Sequence, residues 1–350
     1  MVKIFLTGAS GYIGGEVLHA IATAHPEYTI RALNRDATKS ALITAAYPSV
    51  TIVPGSLDDS ATLEAEAAQA DIVLNLAARE HLSSAQAILK GLTSPSRTSS
   101  TTTAKRPPYW IQVSGATLLA SPEIARGTYG EPSDKIHDDL SGIAEIIALA
   151  RSNPKRATDN FLLDSHAHGV NTALVPPGII YGEGAGPVNR RTFQVPELAR
   201  VAVERGRAVQ VGRGLARWGY VHIRDLGQLF LRLVEKAAAG DDGRQAGLLW
   251  GEEGIYFTGV GGDISFAEIS QRVAQAAFEK GYIKTADVEQ LSAEEADKLI
   301  GHASAVLGTN ARCEARRARE LLGWKPVQHD LIDEIPVTVE AEARKLGVAS

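Results

Sequence analysis

The sequence has very little cysteine, no strong charge of either sign and no long hydrophobic run. Cys313 is the only cysteine in 350 residues, so no internal disulfide forms, and a reducing, cytoplasmic setting is expected. The net charge of -5 argues against nucleic acid as a partner. No apolar run approaches the ~20 residues of a membrane span. No metal is expected, because His166 and His168 lack a third ligand at suitable spacing.

Short apolar runs alternate with helix-like segments through the first half of the chain. The predicted strands are residues 2–6, 28–33, 50–53, 71–76, 109–113 and 171–175. Segments of helical periodicity separate most of them and predict helices over residues 16–24, 37–46, 60–69 and 80–92. Such alternation implies right-handed crossovers and a parallel sheet. The pattern therefore predicts an α/β fold with a doubly wound parallel sheet of the Rossmann type.

The alternation of predicted strands and helices is interrupted at two places. Residues 93–108 read TSPSRTSSTTTAKRPP, a polar low-complexity segment that predicts a mobile surface loop before the fifth strand. From about residue 180 the segments become rich in predicted helices. We expect a Rossmann-type domain over residues 1–180 and a smaller lobe over residues 181–350, interleaved with the first.

The stretch TGASGYIG, residues 7–14, carries three glycines at a spacing of three between the first strand and the following helix. In such a unit Gly8 allows a tight turn, Gly11 lets the backbone approach a pyrophosphate, and Gly14 allows close helix packing. Free N–H groups at the start of the helix then bind the anion. The context of these glycines predicts a dinucleotide site.

The end of the second strand indicates which dinucleotide binds. Sites that prefer NAD place an acidic residue here for the ribose 2′-OH, whereas an arginine suits the 2′-phosphate of NADP. The sequence has Asn34 where the acid is expected and Arg35 next to it, while Asp36 comes two positions late. We predict NADP as the cofactor, with NAD as the alternative.

Seven short motifs follow one another in a characteristic order. They are TGASGYIG, GSLDD (55–59), DIVLNLAA (71–78), WIQVSGA (110–116), PPGIIYG (176–182), VHIRDL (221–226) and ARRARELLGWKP (315–326). In this order they resemble the landmarks of the extended short-chain dehydrogenases/reductases, the NAD(P)-dependent epimerase/dehydratase-like family. The resemblance covers nearly the whole chain. It implies a nicotinamide cofactor and a small-molecule substrate, which would bind mainly in the lobe over residues 181–350.

The resemblance also implies cofactor contacts by position. These are Gly8, Ser10, Gly11, Tyr12, Ile13 and Gly14 around the pyrophosphate, Ser56 and Leu57 beside the adenine, Ala77 and Ala78 along the nicotinamide ribose, and Pro177 and Gly178 on the nicotinamide side. The family commonly has Asp at the place of Ser56. Ser114, at the end of the fifth predicted strand, matches the active-site Ser or Thr of the family.

The catalytic Tyr-x-x-x-Lys pair of the family is missing, so the sequence is identified as an atypical member. In the family, the lysine and the nicotinamide lower the pKa of the tyrosine, which exchanges a proton with the substrate. Counting forward from Ser114 places His137 at the tyrosine position. Counting backward from the sixth strand places Arg151 and Lys155 in the two positions. We favour the second count, because residues 155–168 are expected to run as a helix into the sixth strand.

Two other side chains are candidates for the missing acid. Tyr129 lies in the predicted loop after Ser114 and would bring a phenol from another direction. His137 carries an imidazole, which titrates near neutral pH. Further along, Trp218 precedes the VHIRDL motif, and the resemblance suggests that its ring stacks on the substrate.

These observations lead to three functional hypotheses. The first is an NADP(H)-dependent oxidoreductase acting on a carbonyl, C=N or activated C=C bond of a small metabolite, because an iminium or enone accepts hydride without a strong phenolic acid. The second is a redox-neutral epimerase, dehydratase or isomerase that uses bound NAD(P). The third is a dinucleotide-sensing regulator without turnover. The family often forms homodimers, and no membrane or nucleic-acid partner is expected.

Overall fold

A computed structural model describes residues 1–95, 97, 107–240 and 246–349. The strands of its first half are β1 (Lys3–Thr7), β2 (Thr29–Asn34), β3 (Thr51–Pro54), β4 (Ile72–Asn75), β5 (Tyr109–Val113), β6 (His137–Asp138) and β7 (Asn171–Val175). Six of them form one parallel sheet in the order β3-β2-β1-β4-β5-β7. This arrangement confirms the predicted doubly wound α/β fold. Most of the loop predicted over residues 93–108 lies outside the described residues.

Helices cover both faces of this sheet. They are α1 (Tyr12–Ala24), α2 (Ala37–Ala46), α3 (Ser60–Gln69), α4 (Leu82–Leu92), α5 (Ser121–Arg126), α6 (Ile143–Ser152) and α7 (Ala157–Ser165). Short 3₁₀ turns occur at Ala116–Leu118, Pro154–Arg156 and His166–His168. Pro154 separates α6 from α7, because proline has no N–H to donate and clashes with the preceding turn of a helix.

The second half of the chain adds smaller sheets and further helices. Its strands are β8 (Ile179–Tyr181), β9 (Ala208–Val211), β10 (Arg217–His222), β11 (Asp263–Ser265), β12 (Val288–Leu291) and β13 (Cys313–Glu314). Its helices are α8 (Gln194–Arg205), α9 (Ile223–Ala239), α10 (Ala246–Leu249), α11 (Phe266–Glu279), α12 (Ala293–Leu299), α13 (Ala303–Leu307), α14 (Arg317–Leu322) and α15 (Leu331–Lys345). The strands pair as β11-β10-β8, β12-β9 and β13-β6. None of the described helices is both long and apolar enough to cross a bilayer.

The hydrophobic core lies on both faces of the large sheet, because successive side chains of a strand point to opposite faces. Phe5, Val73 and Trp110 belong to the cluster on the face covered by α3, α4 and α7. Leu6 and Ile111 belong to the cluster on the other face, which includes α1 and α9. Helix α9 comes from the second half of the chain, so that half contributes directly to the packing of the central sheet.

Candidate functional site

The glycine loop joins β1 to α1 at the carboxyl end of the first strand. Gly8 has a φ of +84°, a left-handed conformation that strains residues with a side chain. A Cβ atom on Gly14 would lie 2.1 Å from the carbonyl oxygen of Gly8, so the helix packs directly on the loop. Gly11 is the N-cap of α1, and the first turn of the helix contains no acidic side chain. The N–H groups of this turn are therefore open to an anion such as a pyrophosphate.

The first turns of α1 are also held by a segment that follows β8. The hydroxyl of Tyr12 donates to the carbonyl oxygen of Gly182 at 2.6 Å. One turn further, the carboxylate of Glu16 accepts the N–H of Ala185 at 2.6 Å. The buried Tyr12 therefore faces the second half of the chain, whereas Ser10 and Ile13 are partly exposed.

The turn between β2 and α2 uses its polar side chains internally, with one exception. Asn34 donates through Nδ2 to the carbonyl oxygen of Asp36 at 3.0 Å and to the hydroxyl of Ser40 at 2.8 Å. The carboxylate of Asp36 accepts the N–H of Lys39 at 3.0 Å and so caps α2. Arg35 is exposed and has no hydrogen bond or ion pair within the described part of the chain. Its guanidinium is therefore available to a ligand.

The segments after β3 and β4 lie at the same edge of the sheet. The hydroxyl of Ser56 accepts the N–H of Asp58 at 3.1 Å, and Leu57 is partly buried. Ala77 and Ala78 lie two and three residues beyond the end of β4 and are exposed. Since the carboxyl ends of parallel strands share one edge, these segments border the crevice in which ligands of such folds bind.

Ser114 follows β5 and belongs to a buried polar cluster. Its hydroxyl donates to Oδ2 of Asp159 at 2.8 Å. Nη1 of Arg156 lies 3.2 Å from the same carboxylate oxygen and 3.4 Å from the Ser114 hydroxyl, and Nη2 donates to the hydroxyl of Thr117 at 2.6 Å. The exposed fractions are 6% for Ser114, 8% for Arg156 and 2% for Asp159. The start of α7 thus brings an acid and a cation to the end of β5.

Burial dominates the electrostatics of this cluster. It raises the pKa of Asp159, and the charge of Arg156, the hydrogen bond from Ser114 and the more distant Arg79 oppose the shift. Arg79 comes from the loop after β4, and its Nη1 would lie 2.5 Å from a Cβ atom on Gly115. The raised pKa makes the protonated form of this carboxyl more accessible than in an exposed aspartate, and a protonated carboxyl beside a hydroxyl is able to pass its proton on to a reacting group.

Lys155 is next to this cluster in sequence but points elsewhere. It is exposed in the 3₁₀ turn Pro154–Arg156, and its backbone N–H donates to the side chain of Asn153 at 3.0 Å. No hydrogen bond joins its side chain to Ser114 within the described residues. The following residue, Arg156, makes that contact. A catalytic role of Lys155 stays a prediction.

Tyr129 and His137 lie in other surroundings. Tyr129 packs against the hydrophobic core, and its carbonyl oxygen is close to Gly212 at the end of β9. His137 is buried in β6, where its Nδ1 lies 3.4 Å from the carboxylate of Glu145. Burial lowers the pKa of His137. Neither side chain is hydrogen-bonded to the Ser114 cluster within the described ranges, and their catalytic roles also stay predictions.

Beyond β7, the loop and the tryptophan have definite positions. The carbonyl oxygen of Pro177 accepts the N–H of Ala116 at 3.2 Å, so the loops after β5 and β7 are joined. Gly178 follows as the half-buried residue before β8. Trp218 is 3% exposed, and its indole donates to the carbonyl oxygen of Thr309 at 2.7 Å. The prediction that this ring stacks on the substrate is wrong, because its strand turns it into the core.

Arg156 and Asp159 are absent from the residues predicted for the site. The sequence offers only a weak signal for them, the spacing of three positions that brings two side chains to one side of a helix start, and this spacing marks neither residue as buried. A search for the family spacing of four positions misses this pair. The two residues can be recognised as neighbours only once α7 is known to begin after Pro154.

A family model matches the first part of the chain, and individual protein sequences match nearly all of it. Residues 2–91 match the NmrA-like family. The oxidase ucsJ of an Acremonium species is 37% identical over 352 residues, and the alignment covers 99% of both chains. An uncharacterized protein of Saccharomyces cerevisiae is 25% identical, over 95% of this chain and 98% of its own length.

Solved structures share the fold over the whole chain. The dTDP-glucose 4,6-dehydratase of Bacillus anthracis, in complex with NAD, has a TM-score of 0.67 and 14% identity, covering 100% of this chain and 99% of its own. The UDP-glucuronic acid 4-epimerase of Bacillus cereus, in complex with UDP-glucuronic acid and NAD, has a TM-score of 0.64 and 16% identity, covering 98% and 100%. At this level of identity the likeness shows the fold.

Proposed function

Because this chain belongs to the extended short-chain dehydrogenase/reductase family, we propose that it is an NADP(H)-dependent oxidoreductase acting on a carbonyl, C=N or activated C=C bond of a small metabolite. One observation carries the proposal: the backbone cradle at Gly8 to Gly14 and the Ser114 cluster lie at the same edge of the sheet. Only β4 separates β1 from β5. The two ends are therefore about 10 Å apart, a distance that an extended dinucleotide spans.

The residues present fit a nicotinamide dinucleotide. The N–H groups at the start of α1 suit its pyrophosphate, and Ser114 would stand beside the reacting group of the substrate. The dehydratase and the epimerase of the same fold hold NAD, which supports a nicotinamide cofactor here. The cofactor, when bound, supplies or accepts the hydride, while the protein provides orientation and proton transfer.

The polar cluster supports net redox chemistry. No tyrosine hydroxyl is hydrogen-bonded to Ser114 in the described part of the chain, and Asp159 and Arg156 contact it instead. The relative of 37% identity is called an oxidase. The solved epimerase favours the second candidate, in which the hydride returns to the substrate and the reaction is redox-neutral.

Incubation with NADPH and a panel of carbonyl, imine and enone compounds tests the reaction type. We expect reduced nicotinamide to be consumed in equal amount to the product formed. Conversion of a substrate with no net change of the cofactor would instead establish the redox-neutral reaction. Tight cofactor binding with no conversion of any compound would contradict both and favour a sensing role.

The turn after β2 supports the proposed preference for NADP. Asp36 is occupied as the cap of α2, and Asn34 uses its amide N–H groups within the turn. The one carboxylate of this turn is therefore engaged through its Oδ1 as a helix cap, two positions beyond the place where an acid for the ribose 2′-OH is expected. The exposed Arg35 offers a planar fork of donors that matches two oxygens of a 2′-phosphate.

Arg35→Ala should weaken NADPH binding by about 1.5–3 kcal/mol, the range for hydrogen bonds to charged groups. The affinity for NADH should hardly change, because NADH lacks the 2′-phosphate. Asn34→Asp should have the opposite effect, since it repels the phosphate and offers the ribose an acceptor. Calorimetric titration of both cofactors into wild type and variants measures these affinities.

Lys39→Ala is the matched control, because Lys39 is an exposed cation in the first turn of α2, 3.8 Å from Asp36. It should change the affinities for NADPH and NADH alike. Unfolding curves should accompany Asn34→Asp, since aspartate cannot donate to Ser40. A wild type that binds NADH as well as NADPH, with Arg35→Ala silent, would contradict the assignment of NADP.

A further inference from the structure

The hydroxyl of Ser114 and the carboxyl of Asp159 form a contact that no motif of the sequence accounts for. The two oxygens lie 2.8 Å apart, and Asp159 is almost completely buried. Asp159 belongs to the first turn of α7. Because α7 packs on β7 and α4, the carboxyl is fixed against the end of β5.

Arg156 holds both members of this pair. Its Nη1 approaches the carboxylate and the hydroxyl, and its Nη2 is anchored on Thr117. An arginine remains charged at all relevant pH values, so Arg156 stabilises Asp159 whenever the carboxyl has lost its proton. When Asp159 is protonated, the Ser114 oxygen lies within hydrogen-bond distance of its Oδ2, at 2.8 Å. The cluster therefore accommodates both protonation states of one carboxyl group.

We propose that Ser114 and Asp159 form a proton relay in place of the missing tyrosine, with Ser114 as the catalytic residue and Asp159 as the positioning residue that stores the proton. This inference rests on the proposed function. During reduction the substrate C=O or C=N bond becomes a single bond, its carbon receives the hydride, and its heteroatom takes the hydroxyl proton of Ser114. The proton of Asp159 moves to the Ser114 oxygen, and a carboxylate remains facing Arg156. Oxidation reverses these transfers.

The surrounding charges determine when Asp159 holds its proton. Burial raises the pKa of its carboxyl, and Arg156 and Arg79 act in the opposite direction. Glu80 pairs with Arg79 at 3.2 Å and favours the charged form of Arg156. Because Arg79 and Glu80 lie in an exposed loop, solvent screens their charges more than those of the buried pair.

Charged side chains on the neighbouring helices have other partners. Lys90 of α4 pairs with Glu64 at 2.7 Å, and Arg151 of α6 pairs with Asp164 at 2.8 Å. Asp164 lies on α7 like Asp159 but is exposed. Asp164→Asn is therefore a matched control for Asp159→Asn.

Carbon-13 labelling of the aspartate carboxyl groups tests where the proton resides without any substrate. We expect one resonance, lost in Asp159→Asn, to titrate above the ordinary range of aspartate. Ser114→Ala should move this titration further upward, because the carboxylate loses a hydrogen-bond donor. Asp164→Asn should leave it unchanged.

The oxidation of NADPH by phenanthrenequinone, a generic carbonyl probe, tests the catalytic role. Asp159→Asn should lower kcat by roughly 10²–10⁴-fold, the usual contribution of general acid–base catalysis, and should remove the corresponding limb of the pH profile. The KM for the quinone should change little, because the relay acts in the chemical step. Asp164→Asn should keep the wild-type kcat and profile.

An Asp159 that is fully ionised throughout the neutral range would overturn the relay, as would Asp159→Asn with wild-type kcat and pH profile. If Asp159→Asn does not fold, Ser114→Ala, which removes one oxygen atom, must lose the same limb. If the wild type does not reduce the quinone, the titration alone decides. A wild type that binds no NADPH would refute the proposed function, whereas the titration would still decide whether the pair stores a proton.

Discussion

His222 shows, at the scale of a residue, how one buried side chain couples stability to pH. It ends β10 and accepts the N–H of Arg224 at 3.1 Å, which caps α9. Its ring packs against those of Tyr181 and His329. Burial, together with the charges of His329 and Arg224, lowers the pKa of His222 to about 4. The folded protein therefore keeps this ring neutral where an exposed histidine is charged.

His222→Asn should flatten the pH dependence of the free energy of unfolding. As the pH falls from the ordinary value of 6.5 to about 4, the unfolded chain takes up a proton on this histidine and the folded chain does not, so the wild type loses stability in that window. The loss amounts to roughly 3 kcal/mol. Asparagine keeps the cap without titrating. Denaturation curves at several pH values measure the effect, and an equally steep loss in the variant would count against it.

A site residue can be predicted from sequence when its partners are close to it along the chain, and not when they are far away. Ser114 is predictable because a serine at the end of a buried strand sits within a local motif. Asp159 is not, because it lies 45 positions from Ser114 and no local pattern marks it as buried. The end of a strand predicts roles for Asn34 and Arg35, but the hydrogen bonds of Asn34 to its own turn appear only in the structure.

Helix α1 is the element on which the cofactor site depends most. It is fixed at its start by the glycine loop and on its side by the segment after β8, through Tyr12 and Glu16. Tyr12 carries a buried hydroxyl shared between the carbonyl oxygens of Gly182 at 2.6 Å and Tyr181 at 3.2 Å. This contact joins the two halves of the chain at the anion cradle.

Tyr12→Phe should lower the free energy of unfolding by about 1 kcal/mol or more, because the variant leaves a buried carbonyl group without its donor. Tyr47→Phe is the control, since Tyr47 is half-buried and shares its hydroxyl with His19 at 2.9 Å, where water can replace it. Denaturant titration of both variants measures the difference. A Tyr12→Phe variant no less stable than Tyr47→Phe would contradict this role of the hydroxyl.

Element bounds were predictable where the hydrophobic period is local. The helices at Ala37–Ala46 and Ser60–Gln69 and the strands at Tyr109–Val113 and Asn171–Val175 have the predicted bounds. Helix α1 instead begins four residues earlier than predicted, at Tyr12, because its first turn is part of the glycine loop. The residues of this first turn do not show the apolar spacing of a helix, so the sequence pattern does not reveal where the helix begins.

At the scale of the whole molecule, the order of the sheet brings distant motifs to one edge. Adjacent strands β1, β4 and β5 end at Thr7, Asn75 and Val113, and the cofactor and catalytic residues follow each of them. The alternation of strands and helices predicts a doubly wound parallel sheet, because parallel crossovers allow few topologies, whereas the order of the strands comes from the structure. The packing of α9 on α1 was not predictable, since it depends on contacts between segments about 200 residues apart.

The most direct test of the central claim is a crystal structure of the protein with NADP⁺. We expect the pyrophosphate on the N–H groups at the start of α1, the 2′-phosphate beside Arg35, and the nicotinamide near the hydroxyl of Ser114. Together these contacts would place the reacting carbon next to the Ser114 cluster. A cofactor bound away from the glycine loop, or a nicotinamide directed away from Ser114, would contradict the account.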